Sequence, residues 1–520
     1  MHDYVIVGAG SAGCALAARL TEDPGISVLL VEAGPPDTEP ALHVPVAFSQ
    51  LYRTPFDWDY ASGPEPALDG REIYVPRGRV LGGSSSLNAM IYMRGNRRDY
   101  DGWGPGWGWH DVLPYFLRAE DNERGASALH GVGGPLPVAD GRSRHPLAAA
   151  WIESAVAAGL ERNDDFNGPA QDGVGFYQLT QRDGMRCSAA VAYLHPALGR
   201  PNLTLVPGAL VTRILFEDGR ATGVEALAEG APQRLAAERE VILSAGAYNS
   251  PQLLMLSGIG PAAHLRDHGV AVRLDQPGVG AGLQDHVNAG IILRTDAESL
   301  MTAESEANVA LLRTEGRGPL TSNVAEAGGF WRTRDGLDAP DVQFHMAPVM
   351  FAAEGLVRPS EHAWSVGACV LRPEGRGEVR LRSADPAAKP RIVSRYLDGE
   401  RDWASMVAAV RLLMETARHE PIAGMTTGPF QLPGSDEEDD VRAHVRAHAH
   451  CLYHPVGTCA LGTVVDAELR VRGVEGLRVV DASVIPAVPR GNTNAPAIML
   501  GERAADLLAG KAAPAAEAAV

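Results

Sequence analysis

The first thirty-odd residues constrain the fold more than any other stretch of the chain. Asp3 to Val7 is a short apolar strand, Gly8-Ala9-Gly10-Ser11-Ala12-Gly13 follows, and Cys14 to Leu20 carries the small and apolar residues of a packed helix. A second strand, Ser27 to Val31, ends in Glu32 and Ala33. Strand, glycine turn, helix and strand make the βαβ unit that holds an adenine dinucleotide. Gly8 permits the tight turn, and Gly10 lets the amides around Ser11 and Ala12 approach a pyrophosphate at the positive end of the helix. Gly13 allows close helix-to-strand packing. Glu32, nineteen positions after Gly13, is placed to accept hydrogen bonds from ribose hydroxyls, and its charge disfavours a 2′-phosphate. This unit alone does not separate FAD from NAD.

At 520 residues the chain exceeds one ordinary core, so at least two domains are expected. The net charge of −18 argues against nucleic acid or an anionic membrane as partner, since both want clustered cationic surface. No apolar run approaches the roughly 18 residues of a membrane span. A folded strand almost directly after Met1 leaves no room for a signal sequence, which predicts a cytoplasmic protein. Cys14, Cys187, Cys369, Cys451 and Cys459 are few, odd in number and scattered, as suits buried thiols in a reducing compartment. Cys451 and Cys459 flank His454 in no zinc pattern, so no metal is expected.

Pro76 to Asn88 is a second loop rich in glycine and serine, by itself a cradle for an anion or cofactor, or a flexible turn. Taken with Gly246-Ala247-Tyr248-Asn249-Ser250-Pro251 to Gly260-Pro261, it resembles the two signature motifs of the glucose-methanol-choline (GMC) oxidoreductases, which are FAD-dependent alcohol oxidases and dehydrogenases. The likeness extends to Tyr453-His454-Pro455-Val456-Gly457-Thr458 and Asn492-Thr493-Asn494-Ala495-Pro496, and so covers nearly the whole chain. It implies that Val80, Gly83, Ser84 and Asn88 contact the cofactor, that Val211 meets the adenine through its backbone, and that Asp481 lies near the ribityl or pyrophosphate. Asn494 ranks second to Asn492 and as a further cofactor contact. Covalently flavinylated members tend to have histidine where this chain has Leu87, so the FAD is expected to be non-covalent. A helix from about Ala495 to Leu508 would turn its N-terminus to the flavin, where its dipole favours negative charge.

The fold class expected is α/β, α+β overall: a Rossmann-like FAD-binding domain and a substrate domain of antiparallel sheet backed by helices. The FAD-binding parts are set at 1–145, 191–290 and 446–510, a substrate or cover segment at 146–190, the substrate-binding domain at 291–445, and a flexible tail at 511–520. Alternation over Pro340 to Met346 and Gly377 to Arg382 predicts half-buried strands. Phe330, Trp331, Phe344 and Trp364 are candidates to line the pocket, though aromatics at strand spacing are more often core. Residues 146 to 160 and Asp402 to Ala417 have helical periodicity. Ser435 is read as the cap of a helix with acids in its first turn, and His444 and His448 as exposed helix positions.

Hydride transfer from a carbinol carbon to flavin N5 calls for a base near neutrality to take the hydroxyl proton, a task suited to histidine. The resemblance gives that role to His454. Asn492 stands where family members carry histidine or asparagine, and its amide can donate to the alkoxide without competing for the proton. The expected activity is oxidation of a small-molecule alcohol to an aldehyde or ketone, with dehydrogenase placed ahead of oxidase and electrons passing to oxygen, a quinone or another carrier. A lyase or photodecarboxylase on the same fold, a nicotinamide-dependent dehydrogenase and a silent cofactor-binding protein are the competing readings. Oligomerisation is left open.

Overall fold

A computed structural model describes residues 1–512 and 514. The tail expected over 511–520 lies outside them but for Lys511, Ala512 and Pro514.

β1 (His2–Val7), α1 (Ser11–Leu20) and β2 (Val28–Val31) form the expected βαβ unit, with β1 and β2 parallel and Val5 paired with Leu29. Leu203–Val206 extends the parallel sheet beyond β2. On the other side β1 pairs with the end of the long strand Ala231–Leu243, which in turn pairs with Leu477–Val479. The first half of Ala231–Leu243 leaves this sheet and continues as an antiparallel meander with Arg220–Ala228 and Ala209–Glu217. Strand ends from the two extremes of the chain are thereby brought to one edge, where a dinucleotide sits in such folds.

The small residues of α1 have a structural consequence. Ala12, Ala15 and Gly501 let α1 lie against the C-terminal helix Asn494–Ala509, and a Cβ at Gly501 would strike the Ala12 carbonyl. Ser11 Oγ then reaches Asn494 Oδ1 at 2.7 Å, so the N-termini of both helices open on the same space.

The second sheet is antiparallel, in the order Gly428–Gln431, Val287–Arg294, Ala363–Val370, Val342–Ala347, Ala327–Trp331 and Gly173–Phe176. Its faces follow the two-residue period of a pleated strand. Val287, Ala289, Ile291, Phe344, Met346, Trp364 and Val366 join a core with helices Pro146–Ala157, Glu400–Thr416 and Glu438–His448. Asn288, Gly290, His345, Ala347, Ser365 and Gly367 occupy the opposite face and look into the cavity.

That alternation corrects several expectations. Phe344 and Trp364 pack under the helices, Trp331 lies against the same core, and Phe330 joins a cluster with Phe166 and Tyr177; none of the four lines the cavity. His345 beside Phe344 and Ser365 beside Trp364 are what face the substrate side. Gly377–Arg380 belongs instead to a separate three-stranded sheet with Ala281–Leu283 and Arg391–Val393. The acidic helix begins after Glu437, two residues past Ser435, whose hydroxyl accepts from the Glu437 N–H and donates to Asp440. His444 is buried and donates from Nε2 to the Gly290 carbonyl, whereas His448 is exposed as expected, at the cavity wall.

Candidate active site

A cavity of about 660 Å³ runs from the glycine turn after β1 to the inner face of the antiparallel sheet. At its nucleotide end lie Gly8, Gly10, Ser11, Ala12, Glu32, Ala33, Gly83, Ser84, Asn88 and Val211. Gly13 lies outside the wall, and a Cβ there would collide with the Gly8 carbonyl, as the packing role of this position requires. Val80 also lies outside, its side chain buried with Leu42, Leu51 and Leu87. Leu87 lines the cavity.

These residues fit FAD. Gly10 has open space where a Cβ would stand, and Gly83, at φ 54°, brings the second loop so close that its Cβ would come 2.8 Å from Gly10 Cα. Helix α1 has no side-chain cap and no acid in its first turn, leaving its N–H groups free for phosphate. Glu32 is buried and accepts the Ala9 and Gly34 amides at 2.9 and 2.8 Å, one on each oxygen. Each oxygen keeps a lone pair for a ribose hydroxyl. Asp481 lines the cavity, accepts the Gly246 N–H at 2.9 Å and the Ser250 hydroxyl at 2.5 Å, and caps Ala482–Val484 through the Ser483 N–H. It thus ties the second signature motif to the end of Leu477–Val479.

The other end of the cavity is organised by a strand pairing. His450–Cys451 runs antiparallel to Val287 and Asn288, and Val456 exchanges hydrogen bonds with Gln284. Between these two pairings Tyr453 takes a left-handed conformation at φ 71°, a bulge that turns the next residue, His454, inward. Strain of this kind in a non-glycine residue is stored where function holds it in place.

Asp285, fully enclosed, anchors the bulge. Its Oδ1 accepts the backbone N–H of His286 at 2.8 Å and of His454 at 2.7 Å. Its Oδ2 accepts the Cys451 thiol and the Tyr396 hydroxyl. Burial raises its pKa, and these donors oppose the rise. The five cysteines are all buried and free.

The imidazoles form a directional chain. His286 Nε2 lies 3.1 Å from the Leu371 carbonyl, which can only accept, so Nε2 carries a proton. Burial pulls the His286 pKa down to about 4, so the ring is neutral and its Nδ1 bare. His454 Nδ1, 2.9 Å away, therefore donates to His286 Nδ1. Burial, with His286, His345 and Arg77 nearby, holds His454 well below its ordinary value. Its Nε2 is thus a bare acceptor, facing Asn492 Nδ2 at 3.1 Å. Asn492 Oδ1 accepts from Gln343 Nε2 at 3.1 Å, which fixes the amide in the complementary sense.

The structure brings His454, Asn492 and Asn494 to the cavity wall, and sets behind them His286, Gln343 and Asp285, none of which the sequence singled out. A dinucleotide groove ending beneath an antiparallel sheet fits a flavin-dependent oxidoreductase. The chain belongs to the GMC oxidoreductase family, whose models match residues 2–315 and 373–501. It is 45% identical to an uncharacterised GMC-type oxidoreductase of Mycobacterium tuberculosis, covering 97% of this chain and 99% of that one. It is 42% identical to an oxygen-dependent choline dehydrogenase of Brucella anthropi, covering 98% and 96%. The crystal structure of pyridoxine 4-oxidase from Mesorbium loti superposes with a TM-score of 0.90 at 32% identity, covering 98% of this chain and 99% of that one. A variant of the Aspergillus oryzae formate oxidase superposes at 0.91 and 28% identity, with 98% of each chain covered. No described helix is long and apolar enough to cross a membrane.

Proposed function

We propose that this protein oxidises an alcohol to an aldehyde or ketone with non-covalently bound FAD. The bare Nε2 of His454, set 3.1 Å from the Asn492 amide, is the observation that carries the reading. FAD, when bound, supplies the hydride acceptor. His454 accepts the substrate hydroxyl proton on Nε2 and is already neutral to do so. Asn492 donates from Nδ2 to the same oxygen, and Gln343 keeps the amide from turning its carbonyl towards the developing alkoxide. Asp285 and His286 hold the base and its tautomer. Leucine at position 87 offers no atom for a covalent flavin link. The relative named as a choline dehydrogenase supports an alcohol donor, and the pyridoxine and formate oxidases show how widely substrates vary on this fold.

The test is anaerobic mixing of the FAD-loaded protein with aliphatic, aryl, amino and sugar alcohols. Bleaching of the flavin absorbance by at least one class, abolished in His454→Ala, is the expected result. A flavin untouched by every class, or one still reduced at the same rate in His454→Ala, would overturn the reading.

A further inference from the structure

On the inner face of the antiparallel sheet, two side chains that line the cavity, Asn288 and His345, have unused hydrogen-bonding capacity. Asn288 Nδ2 lies 3.0 Å from His450 Nε2, and His450 Nδ1 lies 2.8 Å from the Cys451 carbonyl. The carbonyl requires a proton on Nδ1, and burial keeps the His450 ring neutral, with a pKa down to about 4. His450 Nε2 is therefore an acceptor, the Asn288 amide donates to it, and Asn288 Oδ1 is the atom left over. That oxygen is buried and has no partner among the described residues.

His345 stands beside it. Gly367 pairs with Gly290 on one side and His345 on the other, and the Cβ it lacks would come 2.5 Å from Asn288 Nδ2. The amide thus lies over Gly367, one cross-strand step from the imidazole, a spacing of about 5 Å. Both His345 ring nitrogens are buried and unpartnered among the described residues, and burial lowers the pKa to about 3, leaving one N–H donor and one bare acceptor. Gln343, which holds Asn492, is two residues back on the same strand and face, about 6.8 Å away. Buried polar groups are almost always hydrogen-bonded, so unpaired ones in a cavity wall call for partners from outside the protein.

We propose that Asn288 and His345 form a subsite for a second, uncharged hydroxyl group of the substrate. The hydroxyl donates to Asn288 Oδ1 and accepts from the His345 N–H. This rests on the alcohol-oxidation reading and narrows it to neutral alcohols with at least two hydroxyls. A cationic alcohol fits less well. The acids in the cavity wall are Glu32 and Asp481 at the cofactor end and Glu354, which lies near Tyr453 and feels Arg71 and Arg53. Arg71 and Arg77 act on His450 and His454, so a cation at the subsite meets repulsion and a neutral amide.

The experiment is anaerobic stopped-flow flavin reduction of the FAD-loaded protein by 1-butanol, 1,4-butanediol and choline, comparing rate constant over Kd. The diol is expected to exceed 1-butanol by about ten-fold, the worth of one or two hydrogen bonds. Asn288→Leu and His345→Phe should each bring that ratio to about one, and the isosteric Asn288→Asp should move the preference to choline. Equal use of diol and mono-alcohol by the unaltered protein, or a diol preference that survives in both variants, overturns the proposal. So does a choline preference abolished by Glu354→Gln, which would place recognition at Glu354. If none of the three bleaches the flavin, the alcohol-oxidation reading fails for this class, and the subsite is judged from flavin absorbance during titration with the diol. A perturbation lost in Asn288→Leu and His345→Phe upholds the subsite; none in the unaltered protein, or one that survives in both variants, sinks it.

Discussion

The Nδ1 atoms of His286 and His454 face each other at 2.9 Å across rings set 89° apart. One proton occupies that gap, and because His286 Nε2–H is committed to the Leu371 carbonyl, the proton belongs to His454. In His286→Phe the His454 Nδ1–H loses its acceptor, and the ring is free to carry its proton on Nε2, where it cannot act as a base. Flavin reduction is expected to slow by about 10–100-fold, part of the roughly 10²–10⁴-fold that a positioned base contributes. FAD content should be unchanged. A stopped-flow rate within two-fold of the unaltered protein would show that the tautomer is held by something else.

A base must be neutral to accept a proton, and His454 is held below the ordinary 6.5 by burial first and then by His286, His345 and Arg77. The flavin-reduction rate should therefore stay flat from alkaline pH down through 6.5 and decline only as pH falls through the lowered pKa. An unperturbed histidine would have lost half its activity at about 6.5. A rate limb at or above that pH, measured under anaerobic conditions, would contradict the electrostatic picture of the site.

What the sequence disclosed and what it withheld follow from range. The βαβ unit was legible because its turn, helix and acid lie within thirty-odd residues and each glycine answers a local demand. His454 and Asn492 were legible only through the family likeness. His286 had no signal of its own: it meets His454 because Gln284 and Val456, far apart in the sequence, pair in the fold, and no local pattern encodes that register. Gln343 and Asn492 meet for the same reason. The aromatic strand residues failed differently. A one-residue shift on a pleated strand reverses the face, so attention to Phe344 and Trp364 passed over His345 and Ser365. Reading the polar member of each alternating pair as cavity-facing would have found them.

Asn492 is an amide where a carboxylate would fit as well, and the choice has a charge consequence. In Asn492→Asp an anion beside His454 favours the imidazolium, raising its pKa, and repels the alkoxide that the base generates. Flavin reduction should fall further than in Asn492→Ala, and its acid limb should move upward in pH. If the aspartate variant reduces flavin faster than the alanine variant at pH 7, Asn492 does not act on the substrate oxygen.

Gly83 and Gly10 press two cofactor loops together. Alanine at 83 would place a Cβ 2.8 Å from Gly10 Cα, backbone against backbone, at a φ of 54° that side chains rarely adopt. Gly83→Ala should purify largely without FAD, seen as loss of the flavin absorbance relative to protein. The unaltered protein should release its FAD into the supernatant on denaturation, as a non-covalent cofactor does. A yellow precipitate would mean a covalent link despite Leu87.

Glu354 carries a cost that pH should expose. Ala353, Glu354 and Gly355 all have positive φ, a turn that puts Glu354 in the cavity wall, and Glu354 Oε2 is buried without a partner among the described residues. Burial raises its pKa to about 7 from 4.5, with Arg71 and Arg53 only partly offsetting it. Between those values the folded state holds more protons than the unfolded chain, so stability falls as pH rises through this window. Above it the ionised carboxylate is disfavoured by on the order of 3 kcal/mol. Glu354→Gln, which stays neutral, should therefore raise the melting temperature at pH 8 and lose that advantage by about pH 4, where the native glutamic acid is protonated in both states. Equal melting temperatures at pH 8 would mean that the carboxylate has found compensation that its surroundings do not reveal.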